Sequence, residues 1–227
     1  MIKRILQGLV VVLILVSLVG GIIFFLPAKT TNEQRIFTSK EISNLKEISL
    51  DGDFDVNVTT SESKDTKCTF SKTKRGYVSN EYELESNIEN NVLYITTNSK
   101  SEPSFVLGGE TLNVNIDIPK SYKNKLSIKS KLAKINILNS NSEDIECSTT
   151  DGETRISLDK ICGNITVDTH LGDIDLKLPK DEKFNLSSAK SRFGKVTNNL
   201  DSNVDYSMSE KNINLSSSDG NITISGN

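Results

Sequence analysis

Polar and apolar positions in the C-terminal half of the chain repeat one phrase. It reads apolar-x-apolar-x-Ser/Thr, two free residues, Gly, one free residue, then apolar-x-apolar. The clearest copy runs from Ile165 and Val167 through Thr169, His170, Leu171, Gly172 and Asp173 to Ile174, Leu176 and Leu178. Further copies start at Ile145, with Gly152 at the turn, and at Ile213, with Gly220. A weaker one starts at Leu126 and has Ala133 in the glycine place. Period-two alternation predicts strands, and the polar break around Gly predicts a tight turn. Ile165, Val167, Thr169, Ile174, Leu176 and Leu178 fall on one face, and Asp168, Asp173, Asp175 and Lys177 on the other.

Copies begin at Leu126, Ile145, Ile165 and Phe184, a period of 19 or 20 residues. A near-constant length is what coils need if equivalent residues are to sit one strand spacing apart. The expected fold is therefore all-β, a stacked, β-helix-like β-solenoid. An antiparallel β-sandwich is the alternative, since hairpins tolerate variable lengths. Stacking would align Ser130, Thr149, Thr169, Ser188 and Ser217 at the turn entrance, with hydroxyls near turn amides. It would also set Lys134 beside Glu153 on adjacent coils.

The fourth copy departs from the phrase. After Phe184, Leu186 and Ser188 its glycine comes late, at Gly194 before Val196. The expected turn, Ala189 to Phe193, is longer and carries Lys190, Arg192 and Phe193, the candidate partner-contact loop.

Upstream, Ile48, Leu50, Phe54, Val56 and Val58 alternate around Asp51-Gly52. Asn90-Asn91 suits a two-residue hairpin turn. Leu112, Val114, Ile116 and Ile118 form a strand stopped by Pro119. Residues 45–118 are expected to be an irregular β cap covering the open edge of the repeats at 119–227. Residues 27–44 are polar without clean periodicity and are expected to be a stalk.

Residues 5–26 are apolar apart from Gln7, Ser17 and three glycines. At about 1.5 Å per residue they can cross a bilayer core of about 30 Å. Lys3 and Arg4 place residues 1–4 in the cytoplasm and the C-terminal domain outside, although Lys29 and Arg35 reduce the contrast. The expected protein is a single-pass protein of the cell membrane, in contact with the bilayer through this helix. A cleaved signal peptide is the rival reading, but its exit site, Phe24 to Ala28, is a poor one.

Composition narrows the function classes. With 25% charged residues and a net charge of −3, nothing points to nucleic acid. Aromatic residues are 6% and Trp is absent, against a base- or sugar-stacking platform. Cys68, Cys147 and Cys162 are odd in number and lack C-x-x-C spacing, which argues against a disulfide framework. Cys147 has the apolar parity of its strand and is expected to be buried. His170, the one His, lies in a turn with no nucleophile elbow nearby. Asp53 with Asp55, and Asp173 with Asp175, are spaced as acid pairs, but neighbouring coils offer Lys and Asn rather than an acid row. The expectation is no enzyme, no cofactor and no metal.

The apolar run, the strand Val114 to Pro119 with Lys120 following, and the Thr-x-x-Gly-Asp-Ile repeats together resemble the putative-adhesin β-strand-repeat family. These are head-GIN-like bacterial envelope proteins of unknown function, and the resemblance covers about residues 45–227. It implies an extracytoplasmic β-repeat domain, often linked with envelope-stress operons, and supplies no catalytic residues. The expected role is a surface interaction or adhesin-like module with an envelope polymer or protein as partner. The alternatives are an accessory component of an envelope-stress system and, more distantly, a polysaccharide-active β-helix enzyme.

Overall fold

A computed structural model of the chain describes residues 26–78, 81–100, 107–180, 182–200 and 209–227. β1 (Lys29–Phe37) and the one-turn helix α1 (Ser39–Ile42) come first. Then follow β2 (Glu47–Asp51), β3 (Asp55–Ser61), β4 (Thr66–Tyr77), β5 (Glu81–Glu89), β6 (Val92–Lys100) and β7 (Leu107–Pro119). The repeat region forms β8 (Lys125–Ser130), β9 (Ile135–Leu138), β10 (Asp144–Thr149), β11 (Thr154–Ser157), β12 (Asn164–Thr169) and β13 (Ile174–Leu178). It ends with β14 (Asn185–Ser191), β15 (Val196–Asn198), β16 (Asn212–Ser217) and β17 (Ile222–Gly226).

The strands make two facing sheets. Sheet I runs β1-β4-β7-β3-β9-β11-β13-β17-β15, and sheet II runs β14-β16-β12-β10-β8-β2-β6-β5. Each copy of the phrase is one rung, with a strand in each sheet. Rungs stack in parallel: Leu126, Ile145, Ile165 and Ile213 are mutual partners, as are Ile128, Cys147, Val167 and Leu215. Parallel neighbours in a fixed register are the solenoid expectation and exclude a sandwich of antiparallel hairpins for the repeats. The inward residues of both sheets form a single apolar core, in which Val167, Leu176, Ile128 and Ile156 are all buried.

Three expectations are corrected. The segment at 27–44 is no stalk: β1 pairs antiparallel with β4 from Lys29 opposite Lys74 to Phe37 opposite Thr66. It covers the edge of β4 that would otherwise lie open. The Arg35 guanidinium ties it to sheet II, donating to Ser86 Oγ at 2.7 Å and to the Leu84 carbonyl. α1 then closes the corner, with the Thr38 amide and hydroxyl both donating to the Glu41 carboxylate at 2.7 Å.

Second, the segment at 45–118 is more than a cap. β2 and β3 form a true rung, parallel to β8 and β9. β6 and β7 form another rung on its far side. Only β4 and β5 run against the rungs, and with β1, which pairs antiparallel with β4, they finish the end. The β5–β6 hairpin turns on Asn90 and Asn91 at φ of 52° and 65°, as the sequence suggests.

Third, the rung of β14 and β15 does not stack on its sequence predecessor. The later rung, β16 and β17, inserts between it and β12 and β13. Ile213, Leu215, Ile222 and Ile224 are regular enough to be buried from both sides. β14 carries an irregularity between Leu186 and Ser188 and stays half exposed, which suits an end position.

Two stability outcomes follow. Val167→Asp places an unpaired charge in the core and should cost about 3 kcal/mol or more, whereas Asp168→Val, on the outer face, should stay within about 1 kcal/mol of neutral. Urea melts giving equal losses would contradict the face assignment. Gly172→Ala would set a Cβ 1.9 Å from the Gly152 carbonyl oxygen and should cost about 1–3 kcal/mol by overpacking. Gly109→Ala, where nothing lies within 4 Å, is the control for glycine entropy alone.

Candidate interaction edge

Parallel stacking sends every sheet II to sheet I turn to the same edge of the solenoid. These turns are hydrogen-bonded one upon another. The Asp151 amide donates to the Lys131 carbonyl at 2.7 Å, and the Leu171 amide to the Thr150 carbonyl at 2.8 Å. The Asp219 amide donates to the His170 carbonyl at 2.9 Å, and the Phe193 amide to the Ser218 carbonyl at 2.8 Å. Their glycines form a column. A Cβ on Gly152, Gly172, Gly220 or Gly194 would lie 1.8–2.1 Å from the carbonyl oxygen of Ala133, Gly152, Gly172 or Gly220 respectively.

Hydroxyls serve some of the turns, two of them by accepting from turn amides, and with one change of member. Thr169 donates to the Gly172 carbonyl at 2.7 Å. Ser217 Oγ accepts from the Gly220 amide at 2.8 Å, and Ser191 Oγ from the Gly194 amide at 2.9 Å. Ser191, not Ser188, is the partner of Ser217. Ser130 and Thr149 share the column but have no hydrogen-bond partner for their hydroxyls among the described residues.

Three acids of the edge serve the turns as well. Asp53 accepts from the Lys131 amide at 3.0 Å, Asp55 from the Lys134 amide at 2.9 Å, and Asp173 from the Asn221 amide at 2.6 Å. Each carboxylate caps a turn amide of the next rung. Three of the four spaced acids are thus drawn into stacking geometry, Asp175 lying on the outer face of sheet I, and no metal-sized group of His, Cys, Asp or Glu occurs among the described residues. Glu153 pairs with Arg155 at 2.6 Å rather than with the expected Lys134.

The edge also carries exposed apolar side chains. Leu132 is 70% exposed, Phe193 69% and Tyr77 66%, the three largest values among the large apolar residues, and Leu171 is also exposed. The Arg192 guanidinium lies 4.9 Å from the centre of the Phe193 ring. Of the candidate loop, Arg192 and Phe193 occupy the turn, and Lys190 belongs to β14. The turn is not longer than the others. A two-residue register offset and the bulge absorb the extra residues, so Gly194 stands over Gly220. Leu132, Leu171 and Tyr77 went unmarked in the sequence reading. The signal for the first two was an apolar residue in a free turn position, where polar residues are usual.

A cleft of about 390 Å³ opens on this edge among Asp53, Phe54, Tyr82, Glu110 and Leu132. Glu110 is nearly buried there, with Lys74 at 3.7 Å. A second, of about 310 Å³, crosses the outer face of sheet I past Asn57, Asn136, Arg155 and Asp175.

The Toastrack DUF4097 family model matches residues 45–158 and again 131–225, twice with overlap, as a repetitive chain allows. By structure the chain is similar to a putative cell adhesion protein from Clostridium sporogenes ATCC 15579. The two are 16% identical with a TM-score of 0.67, over 88% of this chain and 100% of that one. A putative adhesin from Bacteroides fragilis NCTC 9343 aligns over 88% of this chain and 97% of that one, at 10% identity and a TM-score of 0.37. The first likeness establishes a shared fold, and the second is too distant to carry an argument. No curated protein matches the chain.

The thiols differ in reactivity. Burial pushes the Cys68 and Cys147 thiols up to about 12, while Cys162 is half-buried with Asn141 Oδ1 at 3.9 Å. The thiolate is the reactive form, so a soluble thiol reagent at pH 8 should modify Cys162 alone in the folded protein and all three on unfolding. Mass spectrometry of the labelled chain reads the result.

Proposed function

The chain belongs to the Toastrack DUF4097 family, and from that premise we propose that it is a non-enzymatic, membrane-anchored interaction module of the bacterial envelope. The anchor is assigned to the apolar run at 5–26, which lies outside the described residues except for Leu26. No helix among the described residues is long and apolar enough to cross a membrane. The domain stands outside the cytoplasm, and its contact residues lie on the turn edge, Arg192 and Phe193 among them with Lys190 beside them. The partner is a component of the envelope.

The observation that carries this reading is the set of exposed apolar tips on one edge, where Leu132, Leu171 and Phe193 alternate with Asp151 and Asp219 at one turn position. Isolated exposed apolar residues are ordinary, but a set gathered on one edge marks a contact surface. Asp53, Asp55, Asp173, Ser191 and Ser217 on the same edge are tied to backbone amides, which favours a structural over a catalytic role for them.

Orientation provides the test. Protease added to intact, wall-stripped cells should cleave the exported domain, and a cytoplasmic marker protein should survive. Protection of the domain until the membrane is opened would reverse the orientation and remove the envelope role.

A further inference from the structure

We propose that the turn edge rests on the bilayer that holds the protein's own anchor, with Tyr77, Leu132, Leu171 and Phe193 entering the headgroup layer. This rests on the anchored reading above and names the partner of its contact edge.

The argument begins with strand direction. β1 is antiparallel to β4, and β4 is antiparallel to β7, so β1 and β7 run the same way. β7 is parallel to β3, and the parallel relation continues through β9, β11, β13, β17 and β15. All these strands therefore begin at one edge of sheet I. The row of turns lies on that side, and Lys29 enters the fold there too, three residues beyond the start of β3 by register, since Lys29 is level with Lys74 and Glu110 and Asp55 with Asn113.

Chain length fixes how close the edge must lie. Only Pro27 and Ala28 separate Leu26, the end of the apolar run, from Lys29. Three residue steps span at most about 10 Å. β4 continues past the Lys29–Lys74 pair to Tyr77, three residues or about 10 Å in the direction from which the anchor arrives. A straight approach brings Tyr77 level with Leu26. A tyrosine at that level has an apolar ring and a hydroxyl suited to the membrane interface.

The composition of the edge agrees. Leu132, Leu171 and Phe193 project from alternate turns, at the position that Asp151 and Asp219 hold on the turns between, with Lys131, Lys134, Arg192 and Lys195 exposed beside them. Such long cations can lay their stems along an apolar surface and keep their charge among headgroups. Asp151 and Asp219 are exposed on the same edge and offset part of that charge. Apolar insertion, rather than attraction to anionic lipid, therefore holds the edge, and the contact should persist on phosphatidylcholine and in high salt. The nine strands of sheet I, at about 4.8 Å each, make an edge about 38 Å long. Phe193 lies at the end opposite β1. Its position distinguishes a domain lying along the bilayer from one tethered only at Lys29.

The test uses the full chain in phosphatidylcholine vesicles, with Cys162→Ser so that one engineered thiol takes an environment-sensitive fluorophore. Labels go at Phe193→Cys on the turn edge and at Asp159→Cys on the opposite edge, both exposed positions. A lipid with a nitroxide on its headgroup is the quencher. The expected result is severalfold stronger quenching at 193 than at 159, unchanged in 0.5 M salt, and reduced when Leu132→Ser and Leu171→Ser are combined. Equal quenching at both positions, in protein that floats with the vesicles, would overturn the membrane edge and leave the anchor standing. A label at 193 shielded from water-soluble quencher but not reached by the lipid quencher would assign the edge to another protein surface and also overturn it. Failure to float with the vesicles would remove the anchored reading and the proposal together.

Discussion

Backbone resting directly on backbone at the turns is the contact on which the rest of this structure depends. From Ala133 upward, each turn lies so close to the one below that a β-carbon at the glycine position would overlap a carbonyl oxygen at about 2 Å. Only glycine permits that approach without displacing the stack. Once the turns are seated, the amides of one turn find the carbonyls of the next, and the strands on either side are held in parallel register. Ala133 is admitted because it lies at the base of the glycine column, facing the differently shaped turn between β2 and β3. The period of the repeat is thus a consequence of stacking: a rung of another length could not return its glycine to the column.

Stacking also determines what the polar side chains can do. An edge of parallel turns leaves amides that the ladder does not use, and the sequence meets them with Asp53, Asp55, Asp173 and Asn221. On the outer face of sheet I the same logic produces an asparagine ladder, in which Asn136 donates to Asn57 and Asn57 to Asn115, each at 3.0 Å. Side chains that look like chemistry when spaced along a sequence are here the hydrogen-bonding complement of the rung beneath. That is a physical reason why spaced carboxylates in a solenoid are weak evidence for catalysis. Geometry must first free them from the backbone.

The repeat was legible because its core is two-sided and its turn is sterically unique, so both the alternation and the glycine are forced at every rung. β1 was not legible for the opposite reason. Most of it is exposed on both faces, so no alternation marks it, and its pairing is dictated by the open edge of β4 far away in sequence. The first rung was half legible: Ile48, Leu50, Val56 and Val58 gave its strands, but Asp51-Gly52 does not spell the later phrase. The exchange of the last two rungs could not be read at all. Sequence order favours stacking Leu186 on Ile165, and only the better burial of Ile213 and Leu215 decides otherwise. The late glycine reads in sequence as a longer turn, but the irregularity lies in β14 and the turn keeps the common length.

A parallel solenoid necessarily has two unlike long edges, because all its turns from one sheet to the other share a direction. In this chain the difference extends to chemistry. At the edge away from Lys29, apolar residues fold inward: Leu158, Ile161 and Leu178 are buried, and Glu182 accepts from the Ile161 amide at 2.9 Å and pairs with Lys211 at 3.2 Å. Leu138, Ile36 and Ile88 are exceptions there. At the edge where the chain enters, tight turns with glycine against the core leave no room to fold a side chain in, so Leu132, Leu171 and Phe193 must point outward. Stacking explains why they project but not why they are apolar, since lysine, serine or asparagine would fit the same positions. Their identity is what the proposed contact on that side would explain. The strand polarity that fixes the glycine column also places the entry of β1 on that side, so the proposed anchor would bring its own membrane within reach of that edge.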